Sequence, residues 1–144
     1  MLRTRRMKKL LFALLFSVVV VPLQAQVRWG VRAGITEGDP MIGAELVMPL
    51  VGDLVVNPNI EFATDVFSAN ADVHYDFDIS RDTSFWIGAG LAFVNPDEGD
   101  FEGGVNLLGG IGTRRGRMYP YAQLKLTSTG DAGDFTSVAV GVRF

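Results

Sequence analysis

The sequence predicts an all-β fold, an eight-stranded antiparallel up-and-down transmembrane β-barrel preceded by a cleaved signal peptide. Three observations lead to this prediction. The chain begins with an export signal, the remainder divides into eight short segments in which apolar residues alternate with polar or small ones, and turn-forming residues separate the segments. Alternation with a period of two is the pattern of a strand whose two faces meet different surroundings.

The first 25 residues have the pattern of a secretory signal peptide. Five basic residues lie before residue 10, an apolar run extends from Leu10 to Val21, and Pro22-Leu23-Gln24-Ala25 ends in a small residue where a signal peptidase would cut. The apolar run has 12 residues, fewer than the roughly 20 that a spanning helix needs. Cleavage after Ala25 is therefore expected, with an uncleaved anchor as the alternative. The predicted division is a signal peptide at 1–25 and a barrel domain at 26–144.

Loss of the signal peptide makes the chain strongly acidic. The segment holds five of the 13 Lys and Arg residues and none of the 16 Asp and Glu residues, so eight positive groups remain against 16 negative ones and the formal charge is −8. This charge argues against nucleic acid as a partner. Cysteine is absent, so no disulfide supports the exported chain. A closed barrel needs none, because all its backbone groups pair between strands.

The first four predicted strands run 27–35, 41–50, 54–63 and 67–77. Turn-forming residues at 36–40 and the short segment 51–53 separate the first three. In the second strand Ile42, Ala44, Leu46 and Met48 share the apolar face. Pro58 cannot donate to a strand ladder, so a bulge is expected there.

The last four predicted strands run 85–93, 103–112, 118–126 and 135–144. The turn at 80–83 precedes them, and they are separated by the acidic loop at 95–101, the turn at 114–117 and the acidic loop at 129–134. Each strand has roughly the ten residues that a tilted strand needs to cross an outer membrane. If both termini lie in the periplasm, as in known membrane barrels, the loops at 36–40, 64–66, 95–101 and 129–134 are expected outside the cell. The turns at 51–53, 80–83 and 114–117 then face the periplasm, and the last two hold Arg81, Arg114, Arg115 and Arg117.

The composition of the polar face indicates that it lines a narrow lumen. The same alternation would suit a soluble barrel with an apolar interior, as in a lipocalin, but the polar face holds at least nine glycines. A water-exposed surface gives no reason for such a loss of bulk. The interior of an eight-stranded barrel does, since side chains fill it, and the glycines would leave room for Trp86, Tyr119 and Tyr121. The apolar face carries aromatic residues near strand ends, as in the girdles of membrane barrels: Phe62, Phe67, Phe77, Phe85, Phe93, Phe135 and Phe144.

The final strand supplies the most specific resemblance. Val138, Val140, Val142 and the terminal Phe144 share one face, and this ending resembles the C-terminal assembly signal of bacterial outer-membrane barrels. With the signal peptide and the eight alternating segments, the chain resembles small outer-membrane β-barrel proteins of the type formed by the transmembrane domain of OmpA and by OmpX. The resemblance implies a location in the outer membrane of a Gram-negative cell envelope. It implies outer-membrane lipid and the barrel-assembly machinery as partners, with no nucleic acid, and a monomer.

Inward charges are expected to form a polar network in the lumen, because an unpaired buried charge is costly. A regular hairpin around 36–40 would place Arg32 opposite Glu45, so exchanging these two residues should be tolerated better than Arg32→Glu alone. Arg143 should lie near Arg28 where the barrel closes, with Asp76 as the candidate carboxylate between them. The network is interpreted as a rigid plug, with a gated polar pathway as the alternative. Its predicted members are Arg28, Arg32, Glu45, Glu61, Asp72, His74, Asp76, Lys125 and Arg143.

Catalytic and metal motifs are weak. His74 would need an oriented nucleophile to act as a general base, and the nearest serines of its strand region, Ser68 and Ser80, are each six residues away. The segment 110–116 departs from the nucleotide-binding glycine pattern and precedes no helix. The acidic runs at 97–100 and 131–134 lack a full calcium-ligand pattern. No catalytic residue, cofactor or metal site is predicted.

The function that these features favour is a non-enzymatic structural or surface role in the cell envelope. A narrow, porin-like channel or a barrel that binds or transports a lipophilic small molecule is the second hypothesis. A lipid A-modifying enzyme built around His74 is the third.

Overall fold

Eight antiparallel strands follow one another around a closed barrel, and the last pairs with the first. The structure is a computed structural model that describes residues 27–64, 66–96, 101–130 and 133–144. The predicted fold is thereby confirmed, while the predicted signal peptide at 1–25 lies outside the described residues. Among the residues described, no helix has the length and apolar character to cross a membrane. The strands are β1 (Arg28–Thr36), β2 (Asp39–Val51), β3 (Leu54–Ala63), β4 (Val66–Asp78), β5 (Thr83–Pro96), β6 (Glu102–Thr113), β7 (Tyr119–Thr129) and β8 (Asp134–Arg143).

The hairpin between β1 and β2 is tighter than the sequence suggested. Thr36 pairs with Asp39, and the intervening Glu37 and Gly38 have φ angles of 50° and 83°. Positive φ at both central residues is the geometry of a two-residue hairpin turn. The shorter turn changes the register, so Arg32 lies opposite Gly43. The prediction that it lies opposite Glu45 is wrong.

The bulge expected at Pro58 is not present. The β2–β3 register is the same on both sides of it, with Glu45 opposite Asn59 and Met48 opposite Val56. That register places Leu46 opposite Pro58, and the Leu46 carbonyl accepts a hydrogen bond from Asn57 Nδ2 at 2.7 Å. A side-chain donor therefore serves the sheet where proline offers no N–H.

The register shift in this hairpin lies instead between Pro49 and Val51. Shifts of this kind disturb the alternation of the strand around them. Met48, predicted to face outward with Leu46, is buried beside Val47 at this end of β2. The alternation of β2 is therefore lost near its last residues.

The exterior of the barrel is apolar and its interior polar, the reverse of a soluble barrel. Along β8, for example, Val138 and Val140 are 48% and 64% exposed, whereas Ser137 and Ala139 are buried. The lipocalin-like alternative is thus wrong, since such an exterior suits hydrocarbon rather than water.

Aromatic side chains form a belt at each end of the exterior. At the termini end, where β1 begins and β8 ends, Trp29 stacks on Phe144 with ring centroids 4.6 Å apart, and Phe77 stacks on Phe85 at 4.7 Å. At the opposite end, here called the loop end, Phe62 packs on Phe67 at 4.9 Å. Belts at both interfaces are the expected pattern for strands that cross a bilayer.

Candidate functional site: the polar interior of the barrel

The barrel interior holds a charge-balanced network. Among the described residues, three cationic and three anionic side chains are buried inside it. Each of the six takes part in at least one ion pair, so no member of this set is an unpaired buried charge. The six are Arg32, Lys125, Arg143, Glu45, Glu61 and Asp72.

Glu45 joins two arginines from different strands. Its Oε2 pairs with Arg32 Nη2, and its Oε1 accepts from Arg143 Nε at 2.7 Å. Arg32 reaches Glu45 diagonally, because Gly43 and not Glu45 lies opposite it in the register. The pairing occurs as the sequence suggested, but through a different geometry.

This arrangement contradicts one expectation about charge and changes a second. Asp76 is not the carboxylate that serves Arg143, since Glu45 is. The exchange of Arg32 and Glu45 also loses its rationale, because an arginine at position 45 would face Arg143. We therefore expect the exchanged variant to be about as unstable as Arg32→Glu.

A second part of the network is centred on Lys125. Its Nζ lies 3.0 Å from Glu61 Oε1 and 3.0 Å from Asp72 Oδ2. Glu61 Oε1 also accepts from Arg32 Nη1 at 3.2 Å, which connects this part to the Glu45 pairs. The charged groups of β1, β2, β3, β4, β7 and β8 thus form one continuous assembly.

Four asparagines complete the network, and the list of charged residues had missed them. Asp72 accepts from Asn59 Nδ2 and from Asn106 Nδ2, both at 2.8 Å, and Asn70 Nδ2 donates to Asn59 Oδ1 at 3.1 Å. Asn57 Nδ2 lies 3.1 Å from Glu45 Oε2. The sequence does indicate that these asparagines face the lumen, since all four occupy polar-face positions of β3, β4 and β6. An amide has no charge that needs compensation, so charge pairing alone does not identify these residues.

The termini end of the interior is filled by aromatic rings around Arg143. The Arg143 guanidinium lies 4.6 Å from the Trp86 ring centroid and 4.4 Å from that of Tyr121. Trp86 Nε1 donates to Gln123 Oε1 at 3.1 Å. Arg28, also a predicted network member, is half-buried over the Tyr119 ring at 5.2 Å, and among the described residues it forms no ion pair. It belongs to the aromatic layer rather than to the charge network.

Glycines make room for these rings. A Cβ added at Gly110 would lie 2.3 Å from Trp86 Cζ2, and one at Gly112 would lie 2.3 Å from Tyr119 Cε1. Approaches this close are not tolerated in packed interiors. The glycine-rich inward face thus has a steric cause, as its composition suggested.

His74 and Asp76 form a close pair in the lumen. His74 Nδ1 lies 2.7 Å from Asp76 Oδ1, and the imidazole packs against Trp86 with centroids 5.6 Å apart. His74 Nε2 is buried without a hydrogen-bond partner among the described residues. An acid–histidine pair needs a nucleophile within hydrogen-bond reach to activate it, and no described hydroxyl bonds to this nitrogen. Asp76 therefore orients the His74 imidazole, but no described hydroxyl is placed for His74 to activate.

The loop end of the lumen contains a small vestibule of about 30 Å³. Hydroxyl groups of Thr36, Ser68 and Ser137 line it, and its floor includes Glu61. Below Glu61, the described interior is occupied by the ion pairs and the aromatic layer. The vestibule has the volume of about one water molecule.

The assembly-signal residues lie on the outer wall. Val138, Val140 and Phe144 are exposed on the outside of β8, and Val142 is half-buried there. The Phe144 amide donates to the Trp29 carbonyl at 2.8 Å, which continues the pairing of β1 with β8 to Phe144.

Of the two acidic runs considered for calcium, all of 97–100 and the first half of 131–134 lie outside the described residues. Within the described part of the chain, no cluster of His, Asp or Glu side chains could hold a metal ion.

No protein-family model matches the sequence, and no curated protein matches it. Solved structures do match the fold. The N-terminal β-barrel domain of Pseudomonas aeruginosa OprF superposes with a TM-score of 0.68 at 16% identity, over 82% of this chain and 96% of that one. Neisserial surface protein A gives 0.61 at 17% identity, over 81% and 94%. The outer membrane enzyme PagL gives 0.59 at 10% identity, over 81% and 98%.

Proposed function

Because the chain has the closed eight-stranded fold found in small outer-membrane barrels, we propose that it is a non-enzymatic barrel of the bacterial outer membrane. Its role is structural or at the cell surface, in the envelope of a Gram-negative cell. It enters the membrane as an exported monomer, contacts outer-membrane lipid through its apolar exterior, and is assembled through the C-terminal strand.

The observation that carries the proposal is the interior network. Three cations and three anions among the described residues neutralise one another and are joined by asparagine amides. Each of the six has an ion-pair partner, although Arg32 Nε and Arg143 Nη2 are buried without a hydrogen-bond partner among the described residues. Buried networks of paired charges and amides rigidify the structure around them. Such an interior favours a lumen closed by its own side chains over a channel that conducts ions.

Electrical recording tests the plug directly. The refolded chain, inserted into planar bilayers, should show no discrete conductance steps. The second hypothesis, a narrow channel, draws support from the vestibule that reaches Glu61. Discrete steps in the natural protein that vanish in Glu61→Gln would contradict the plug and establish the channel.

The enzyme hypothesis has one supporting observation, the His74–Asp76 contact of 2.7 Å. The buried position of His74, inside the barrel and against Trp86, speaks against a lipid substrate. Cells that overproduce the natural protein should therefore contain the same lipid A species as cells that overproduce His74→Ala. A lipid A product that depends on His74 would overturn the non-enzymatic assignment.

A further inference from the structure

The outer wall of the barrel contains an apolar groove. It has a volume of about 890 Å³ and extends over β6, β7, β8 and β1 in the half of the wall nearest the termini end, and Thr83 of β5 also lines it. Short or rigid side chains form it, including Ala33, Ala122 and Pro120. Ala122 lies between Ile111 and Val140 in the sheet register. The belt on β4 and β5 at the same end is instead built from phenylalanines, so the groove is a local depression in the wall.

Cationic side chains lie where the groove reaches the termini end. Arg115 lines the groove, and Arg114 and Arg117 are exposed on the same turn. In the part of the chain that the structure describes, no carboxylate lies within salt-bridge distance of any of the three. The groove therefore ends at guanidinium groups that have no anionic partner among the residues described.

The turn that presents these arginines is well fixed. Arg115 N donates to Met118 O at 2.8 Å, and Met118 N donates to Arg115 O at 3.1 Å. Gly116, with a φ of 65°, permits the tight reversal between them. The backbone of Arg115 is thus held at the end of the groove before any ligand arrives.

We propose that the groove binds an acyl chain of an anionic phospholipid whose phosphate pairs with Arg115. The inference rests on the proposed membrane location. Guanidinium groups bind phosphate oxygens through paired hydrogen bonds, and basic clusters next to apolar membrane surfaces select anionic lipids.

A second copy of the chain is a poorer occupant. Two barrels inserted in the same direction would meet around an axis parallel to the barrel axis. Arg114, Arg115 and Arg117 of both copies would then lie at the same rim, where like charges repel. An anionic headgroup neutralises this rim instead.

A second groove provides an internal comparison. It has a volume of about 540 Å³ and lies over β1 to β4, where Trp29, Leu46, Pro58 and Ile60 line it. No arginine lines it. This groove should accept acyl chains without regard to the headgroup.

The test uses barrels refolded into nanodiscs of phosphatidylcholine and phosphatidylglycerol in a ratio of about nine to one. Native mass spectrometry after release into mild detergent counts the lipids retained by each barrel. Natural protein should retain phosphatidylglycerol in preference to phosphatidylcholine. Arg115→Gln should reduce that preference by about tenfold, the effect of losing one charge-assisted contact. Ala122→Phe, which fills the groove and leaves Arg115 in place, should reduce it as well.

Arg81→Gln is the matched control, because Arg81 is exposed at the same end but does not line the groove. It should retain phosphatidylglycerol like the natural protein. Equal retention in Arg115→Gln or Ala122→Phe would overturn the lipid site, and a mass of two chains without bound lipid would assign the groove to a second copy. Heat-modifiable gel migration, measured on the same samples, separates the two proposals. Failure to fold in the bilayer defeats the proposed membrane function, whereas a folded barrel without lipid preference defeats only the site.

Discussion

Glu45 is the carboxylate that two buried guanidiniums share. Arg32 and Arg143 both pair with it, and among the described residues only Arg32 has a second carboxylate partner, Glu61. Glu45 was predictable from the sequence because charges on an inward face must be compensated. That Glu45 pairs with both arginines was not predictable, since this depends on how far long side chains reach across the lumen. Arg143 was therefore assigned to the wrong acid, Asp76.

We expect Glu45→Gln to lower the free energy of unfolding by about 3 kcal/mol, because removal of one partner leaves buried charge uncompensated. The measurement is urea unfolding in lipid vesicles, followed by the loss of the compact band on an unheated gel. Asp53→Asn is the control, since Asp53 is exposed at the β2–β3 turn and the change should be nearly neutral. Equal midpoints for the two variants would show that the Glu45 pairs contribute nothing to stability.

Strands were predictable from the sequence as elements, while their ends and turns were less so. Strict alternation located β4 and β8 to within one residue at either end. The run 36–40 consists of turn-forming residues, but the chain uses only Glu37 and Gly38 for the reversal. Composition identifies a turn without giving its length, and a change in length alters the register of everything opposite it.

Two adjacent glycines of β6 test the two-faced character of a strand. Gly110→Ala should destabilise the barrel by about 1–3 kcal/mol, because the new methyl group would enter the Trp86 ring. Gly109→Ala, its neighbour on the outer face, should be neutral or slightly stabilising, since its Cβ would meet only the Trp86 carbonyl at 3.5 Å. Thermal unfolding monitored by circular dichroism compares them. A larger loss for Gly109→Ala would mean that the inward and outward faces of β6 have been assigned the wrong way round.

Phe144 has two roles that substitution can separate. It stacks on Trp29, and we propose that it also belongs to the signal read by the assembly machinery. Phe144→Ala and Trp29→Ala should slow spontaneous folding into vesicles to a similar extent, because each removes the same ring contact. In cells, Phe144→Ala should lower the amount of folded barrel in the outer membrane much further than Trp29→Ala. Similar amounts of the two variants would reduce Phe144 to a structural residue.

At the scale of the whole molecule, alternation, glycine content and the resemblance of both ends of the chain to outer-membrane barrels predicted the closed barrel and its apolar exterior. Function is not encoded at that scale, because barrels with the same architecture include PagL, an enzyme, as well as surface proteins. The groove on the outer wall was equally invisible in the sequence. It arises around Ala33 of β1 and Ala122 of β7, which lie on either side of Val140 only once the barrel has closed.

Fractionation of cells tests the proposal for the molecule as a whole. The chain should be extracted with outer-membrane vesicles and should migrate faster on a gel before heating than after it, since a closed barrel resists detergent until it is heated. Recovery from the soluble periplasm, or identical migration with and without heating, would contradict the membrane assignment.

The fit between rings and glycines also constrains how the chain can diverge. Trp86, Tyr119 and Tyr121 each occupy the volume that a neighbouring strand leaves empty at Gly110, Gly112 and Gly141. A mutation at either member of such a pair is harmful alone and becomes acceptable only after its counterpart has changed. Related sequences should therefore show correlated exchange at these positions, with bulk moving from one strand to the next while the total filling of the lumen is preserved. The residues that line the lumen would then change in pairs, and the shape of the lumen would be preserved.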